Sequence, residues 1–154
     1  MDTHPTAKRF VGERETVRDG FVAGSVAAVV SGAPSTLYAL ATGDDPLAAT
    51  LAAGAMVMRR ERRMAPLVLS AVPVHITLSL GWAQLLAAAL PRRRTTAWGA
   101  VAGLGIAALD LGVIGQRFPR VRALPQLPQV ADHVAYGATV GAVLSVRRWW
   151  RGGG

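Results

Sequence analysis

The hydrophobic positions of this chain fall into long apolar runs separated by short clusters of charge. The longest run is Met64–Leu90, MAPLVLSAVPVHITLSLGWAQLLAAAL, 27 residues without Asp, Glu, Lys or Arg. A helix that crosses the hydrocarbon core of a bilayer needs about 20 such residues. Arg59, Arg60, Arg62 and Arg63 precede the run, and Arg92, Arg93 and Arg94 follow it. The pattern predicts a membrane-spanning helix with Pro66 in its first turn and a bend at Pro73.

Three further runs have spanning character. In Phe21–Ala41, Gly20, Gly24, Ala28 and Gly32 recur every four residues and give one smooth face. Small residues at that spacing let helix backbones approach closely, which drives association where lipid removes the hydrophobic incentive. Ser31-Gly32-Ala33-Pro34-Ser35-Thr36 interrupts this run. Pro34 removes a backbone donor and disfavours helix at the preceding residue, so a kink or partial unwinding is expected. Thr95–Gly115 is the third span. Gly99 and Gly103 share a face with Asp110, while Gly105, Ala108 and Gly112 form a second small face. A helix smooth on both sides is expected between two neighbours, at the centre of the bundle. Ala131–Val146 is the fourth span, with His133, Gly137 and Gly141 on one face.

The remaining segments do not reach across a bilayer. Thr6–Arg18 reads as a short amphipathic surface helix, with Phe10, Val17 and Phe21 on one stripe and Glu15 paired to Arg18. Thr42-Gly43-Asp44-Asp45-Pro46 is a turn in which Asp44 or Asp45 caps the next helix. That helix, Leu47–Met58, rises only about 18 Å, which suggests a re-entrant or interfacial element. Gln116–Val130 holds Pro119, Pro125 and Pro128 among Arg117, Arg120 and Arg122, and is expected as an extended loop on the headgroups. Arg147-Arg148-Trp149-Trp150-Arg151 supplies cationic and aromatic anchors of an interface. The fold class expected is all-α: an integral membrane helix bundle of four spanning helices plus one short re-entrant or interfacial helix. Residues 1–19 form an N-terminal cytoplasmic or interfacial segment, 20–146 the bundle, and 147–154 a basic aromatic tail.

Composition narrows the picture. Only 17% of the 154 residues are charged, below the roughly 25% of soluble proteins. The net charge of +8 comes from arginines at the ends of apolar runs rather than along one helical face. That placement fits retention of loops and attraction to anionic headgroups, and not nucleic acid. The first residues carry charges of both signs with no short apolar core and cleavage site, so the first apolar run is expected to be an uncleaved anchor. Cysteine is absent, which removes disulfides, thiolate metal sites and cysteine nucleophiles. With four spans, ten basic residues lie on the side of the N-terminal segment, Arg92–Arg94 and the tail, against seven on the other. If Leu47–Met58 crosses, the division is eleven to six with the tail outside. The charge rule separates the two arrangements weakly.

Ionisable groups inside spans are costly, so each is a candidate for function. Asp110 lies two-thirds along the third span and suits either a proton or cation pathway or a hydrogen bond between helices. His75 follows Pro73 and aligns with Ser79 and Trp82; it suits a proton carrier, a haem ligand, or a bond to the carbonyl freed by Pro73. Asp132 opens the last span as an expected N-cap. His133 beside it and Tyr136 one turn on are placed to join Asp110 or His75 in a polar cluster. Gln84 and Thr77 are placed to bond another helix. No phosphate-binding loop, nucleophile elbow, His-Glu-x-x-His pair or acidic metal loop is present. No cofactor is expected.

The segments SGAPST, PVH with SLGW, AALDLG and LPQ-x-ADH-x-AYG resemble those of small membrane proteins of high-GC actinobacteria, and of the YagU-like family of bacterial inner-membrane proteins. The resemblance covers most of Gly20–Val146. It implies a multi-pass protein of the inner membrane and carries no activity with it. The function expected is that of a non-enzymatic accessory or scaffolding component. The alternative is a small transporter or channel protomer with a polar or proton pathway through Asp110, His75 and His133. The partners implied are the bilayer, its anionic headgroups, and a second copy or another membrane protein.

Overall fold

The computed structural model describes residues 5–152, with side chains from Arg14 onward. It is all-helical, with no strand among the described residues. Seven α-helices follow one another: α1 Pro5–Val30, α2 Ala33–Thr42, α3 Ala48–Val57, α4 Met64–Ala89, α5 Thr95–Leu109, α6 Pro119–Arg122 and α7 Gln126–Gly152. Between α5 and α6 the chain passes through a π-helical turn, Asp110–Ile114, and a 3₁₀ turn, Gly115–Arg117. Three stretches are long and apolar enough to cross a membrane: Arg14–Thr42, Met64–Ala89 and Thr95–Arg117. The last helix is long, but its stretch free of Asp, Glu, Lys and Arg, His133–Val146, has only 14 residues, and it is not among these three.

Several boundaries differ from the sequence expectation. The N-terminal segment is not a separate surface helix, because α1 runs unbroken from Pro5 into the first apolar run. Phe10 of the expected stripe lies outside the described side chains. The break near Pro34 is real. Helix α1 ends at Val30, and α2 restarts at Ala33 with Pro34 in its first turn, where no backbone donor is needed. Gly43 closes α2 in the left-handed conformation at φ 78°, which glycine adopts without strain. Asp45 accepts the Leu47 N–H at 2.8 Å and closes the turn before α3, but no side chain caps α3 itself, so the cap expected from Asp44 or Asp45 does not form. The expected loop 116–130 is largely helical turns, with Pro128 in the first turn of α7. The basic tail continues α7 instead of leaving it.

Helix α5 packs antiparallel to α7 with backbone against backbone. A Cβ on Gly99 would overlap the Gly137 carbonyl oxygen, and one on Gly137 would overlap that of Gly99. Gly103 faces the His133 carbonyl in the same way, and Gly141 faces Thr95 and Thr96. The α1–α4 pair uses Gly24, where a Cβ would lie 2.8 Å from that of Ala83, and Gly20, which is covered by Gln84. Gly32 has nothing within 4 Å, so the smooth face of α1 stops being used at the break. The second small face of α5 is also open, with no atom within 4 Å of a Cβ built at Gly105 or Gly112. Helix α5 is therefore packed on one side only, and it does not lie at the centre as its composition suggests. The core is made by Ala23, Ala27, Ala83, Leu86, Ile106, Tyr136, Val140 and Leu144.

One end of the bundle is locked by charge. Asp19, buried on α1, receives Arg147 at 2.6 Å and both terminal nitrogens of Arg151 on α7. Glu15 stands 3.8 Å from Arg151, instead of pairing with Arg18. Arg148 donates to the carbonyls of Ala87 at 2.9 Å and Leu90 at 3.1 Å, the unpaired acceptors at the end of α4. The tail is thus a clasp that joins α1, α4 and α7, while Trp149 and Trp150 remain exposed, edge to face at 5.4 Å.

Candidate functional site

Two of the polar groups inside the apolar helices meet the break between α1 and α2. At the helical rise of 1.5 Å per residue, Ser31 lies about 18 Å beyond Asp19, roughly halfway along Arg14–Thr42. A broken helix leaves carbonyls without partners on one side and N–H groups without partners on the other. In lipid no water is present to satisfy them. Two side chains from neighbouring helices supply what is missing. His75 Nε2 on α4 bonds the Ala28 carbonyl, among the last four of α1, at 2.8 Å. Asp132 Oδ1 on α7 accepts the Ser35 N–H, in the first turn of α2, at 2.8 Å. Gly32, at the cap position of α2, offers no side chain to do so.

These placements revise two expectations. The His75 partner is not the carbonyl freed by Pro73 on its own helix, but one on α1. Asp132 is not the N-cap of its own helix, since α7 begins at Gln126, six residues earlier. It is an anionic cap supplied across the fold to another helix, where a carboxylate also meets the positive end of the dipole.

Asp110 and His133 form a second polar contact beside the first. Asp110 opens the π-helical turn, and its Oδ2 lies 3.4 Å from His133 Nε2. The other ring nitrogen, Nδ1, bonds the Gln129 carbonyl at 2.7 Å, which orients the imidazole along its own helix. Each side chain is about one-quarter exposed, 24% for Asp110 and 23% for His133. Because α5 and α7 approach at Gly103 and His133, the carboxylate and the imidazole meet without crossing a gap. Tyr136 is buried and donates its hydroxyl to the Ser79 carbonyl on α4. Gln84 donates to the Val17 carbonyl at 3.2 Å and ties α4 to α1.

The structure thus joins Asp110 to His133, and seats His75, Asp132 and Tyr136 on backbone groups of separate helices. The three groups expected as one pathway are a pair and a separate histidine. No group of three or more His, Asp or Glu side chains able to hold a metal occurs among the described residues. No buried side-chain polar atom lacks a partner among those residues.

The sequence expectation passed over Asp19. It reads there as one of the mixed charges of the N-terminal segment, and only its four-residue spacing to Glu15 hints at a shared face. Outside the apolar helices, Glu61 accepts a side-chain bond from Arg63 and the backbone N–H groups of Arg62 and Arg63, and these hold its carboxyl at about 2. No family model, no curated protein and no solved structure matches the chain.

Proposed function

We propose that the protein is a four-crossing component of a bacterial plasma membrane, with α1–α2, α4, α5 and α7 as crossings and α3 lying at one face. We further infer that it acts without chemistry of its own, as an accessory or scaffolding subunit. What supports the crossing of α7 is its register. It lies alongside α5 from Thr95 to Gly103 and alongside α1–α2 from Asp19 to Ser35. A helix with those contacts has the same depth as its neighbours, and its Asp132 and His133 are shielded by them. The clasp between Asp19 and Arg147, which joins the start of the first proposed crossing to the end of the last, supports an even number of crossings.

The observation that carries the non-catalytic reading is how the intramembrane polar groups are used. His75 and Asp132 close the helix break, Tyr136 and Gln84 bridge helices, and His133 has both ring nitrogens engaged. Each group has a structural partner, and none is held in reserve for a substrate. The competing reading is a transporter protomer, and the feature that favours it is the His133–Asp110 pair at a π-helical turn, an irregularity found often at functional sites. Reconstitution into liposomes loaded with a pH-sensitive dye separates the two. A scaffolding subunit adds no proton flux above protein-free vesicles. A saturable flux abolished by Asp110→Asn and by His133→Gln would overturn this reading in favour of transport.

A further inference from the structure

At the face that carries α3, the segment after α3 and the segment before α6 enclose a cleft of about 700 Å³. Arg59, Arg60 and Arg62 line it from one side, and Arg117 and Arg120 from the other. Ala52 and Ala55 of α3 form an apolar floor, and Phe118 stands beside them. The one acidic residue on the wall is Glu61, and its carboxylate is already occupied by Arg63 through two side-chain bonds, at 3.2 and 3.0 Å. None of the five lining arginines has a carboxylate within ion-pair distance among the described residues.

The walls are held in place by contacts that spend little of this charge. Arg120 crosses the cleft to the Glu61 carbonyl at 3.2 Å. Arg59 stacks over the Phe118 ring at 5.1 Å. The side chains of Arg60 and Arg117 make no hydrogen bond or ion pair with any described residue. Guanidinium groups repel one another at close quarters, and a concavity of one sign concentrates its field. Guanidinium is also the side chain whose planar donor fork matches phosphate oxygens two at a time. The volume falls within the range of small-ligand sites, and an apolar floor below a cationic rim suits a molecule with a charged head.

We propose that this cleft is a binding site for a phosphate group, presented either by an anionic phospholipid or by a soluble phosphate compound. The site also accounts for the weak charge asymmetry of the chain. Five of the seven arginines on this face line the cleft, so they report a ligand and not the orientation of the protein. The proposal rests on the four-crossing reading only for the position of the cleft at a membrane surface.

The test uses the full chain in nanodiscs of phosphatidylcholine with or without phosphatidylglycerol, and in detergent with inorganic pyrophosphate against chloride at equal ionic strength. Bound lipid is counted by native mass spectrometry, and pyrophosphate binding by calorimetry. The variant is Arg60→Gln with Arg117→Gln, two side chains without internal partners, whose loss leaves folding intact. The control, Arg92→Gln with Arg93→Gln, removes the same charge at the other end of the bundle. Loss of two charge-assisted contacts weakens binding by about tenfold or more, whereas the control stays within a factor of two. Retention of phosphatidylglycerol that pyrophosphate does not displace assigns the site to lipid. Saturable pyrophosphate binding assigns it to a soluble phosphate. Equal losses in variant and control, or no preference for either anion in the unmodified protein, would overturn the proposal. Cysteine labelling of the loops judges the crossing number independently, so the two failures are distinguishable.

Discussion

Replacing Gly99 by alanine adds one methyl group to α5 where α7 leaves no room for it. The new Cβ would sit 3.0 Å from the Gly137 carbonyl carbon and 3.2 Å from the Gly141 Cα, and closer still to the Gly137 oxygen. All of these are backbone atoms, so no side chain can rotate away and the two helices must separate. Overpacking of this kind costs about 1–3 kcal/mol, and the better helix propensity of alanine returns about 0.5–1 kcal/mol. Six residues further along the same helix, Gly105→Ala meets no atom within 4 Å, so it keeps the propensity gain of about 0.5–1 kcal/mol and incurs no clash. Two chemically identical substitutions should therefore differ by about 2 kcal/mol in opposite directions. Equilibrium unfolding in mixed micelles, with both variants in the same detergent, measures the difference. If Gly99→Ala unfolds at or above the midpoint of Gly105→Ala, the backbone-to-backbone seam between α5 and α7 is not what holds these helices together.

Other substitutions probe the polar contacts. Asp132→Ala leaves the Ser35 N–H without its acceptor and should cost about 1–2 kcal/mol, whereas Asp132→Asn, itself a good cap, should cost much less; unfolding in micelles reads both. Asp19→Ala strands Arg147 and Arg151, whose side chains are 25% and 35% exposed; this partial solvation places the expected loss near the low end of the range, at about 2–3 kcal/mol. Cleavage by trypsin after Arg147 should accelerate in the same variant. The pH response of the segment before α4 follows from Glu61, whose carboxyl is lowered from 4.5 to about 2 by Arg63 first and by the backbone N–H groups next. A lowered value in the fold means that the stabilisation is complete above the unfolded value of 4.5 and is lost as pH falls toward 2. The protection of the Arg62 and Arg63 amides, corrected for the intrinsic pH dependence of exchange, should therefore fall as pH drops across that interval, and Glu61→Gln should remove that fall.

Much of the architecture is legible in the sequence because length, apolar runs and proline act locally. The three long apolar stretches, the interruption before Pro34 and the turn at 42–46 all follow from such rules. The α5–α7 seam was visible in part, as small residues at 99, 103, 137 and 141 on two helix faces. Periodicity, however, says that a face is smooth and not that it is occupied, which is why Gly105 and Gly112 suggested a neighbour that the fold does not place there. The prolines of 116–130 misled for a related reason. Pro128 is tolerated in a first turn, so the segment begins α7 instead of forming a loop, and this moves Asp132 from a cap position to the helix interior. Asp19 could not be singled out, because its partners are 128 and 132 residues away and meet it only once α7 continues through the tail. The arginine cleft was equally hidden, since its two halves come from segments that look like ordinary flanking charge.

The crossing number is open to direct measurement, because the chain has no cysteine of its own. Single cysteines at Arg14, Asp44, Arg62, Arg93 and Gly152, probed in intact cells and in inverted vesicles with a membrane-impermeant maleimide, report the side on which each segment lies. Four crossings place Arg14, Arg93 and Gly152 together on one side, with Asp44 and Arg62 together on the other. Asp44 and Arg62 on opposite sides, or recovery of the unmodified protein as a monomer in detergent-free buffer, would contradict it.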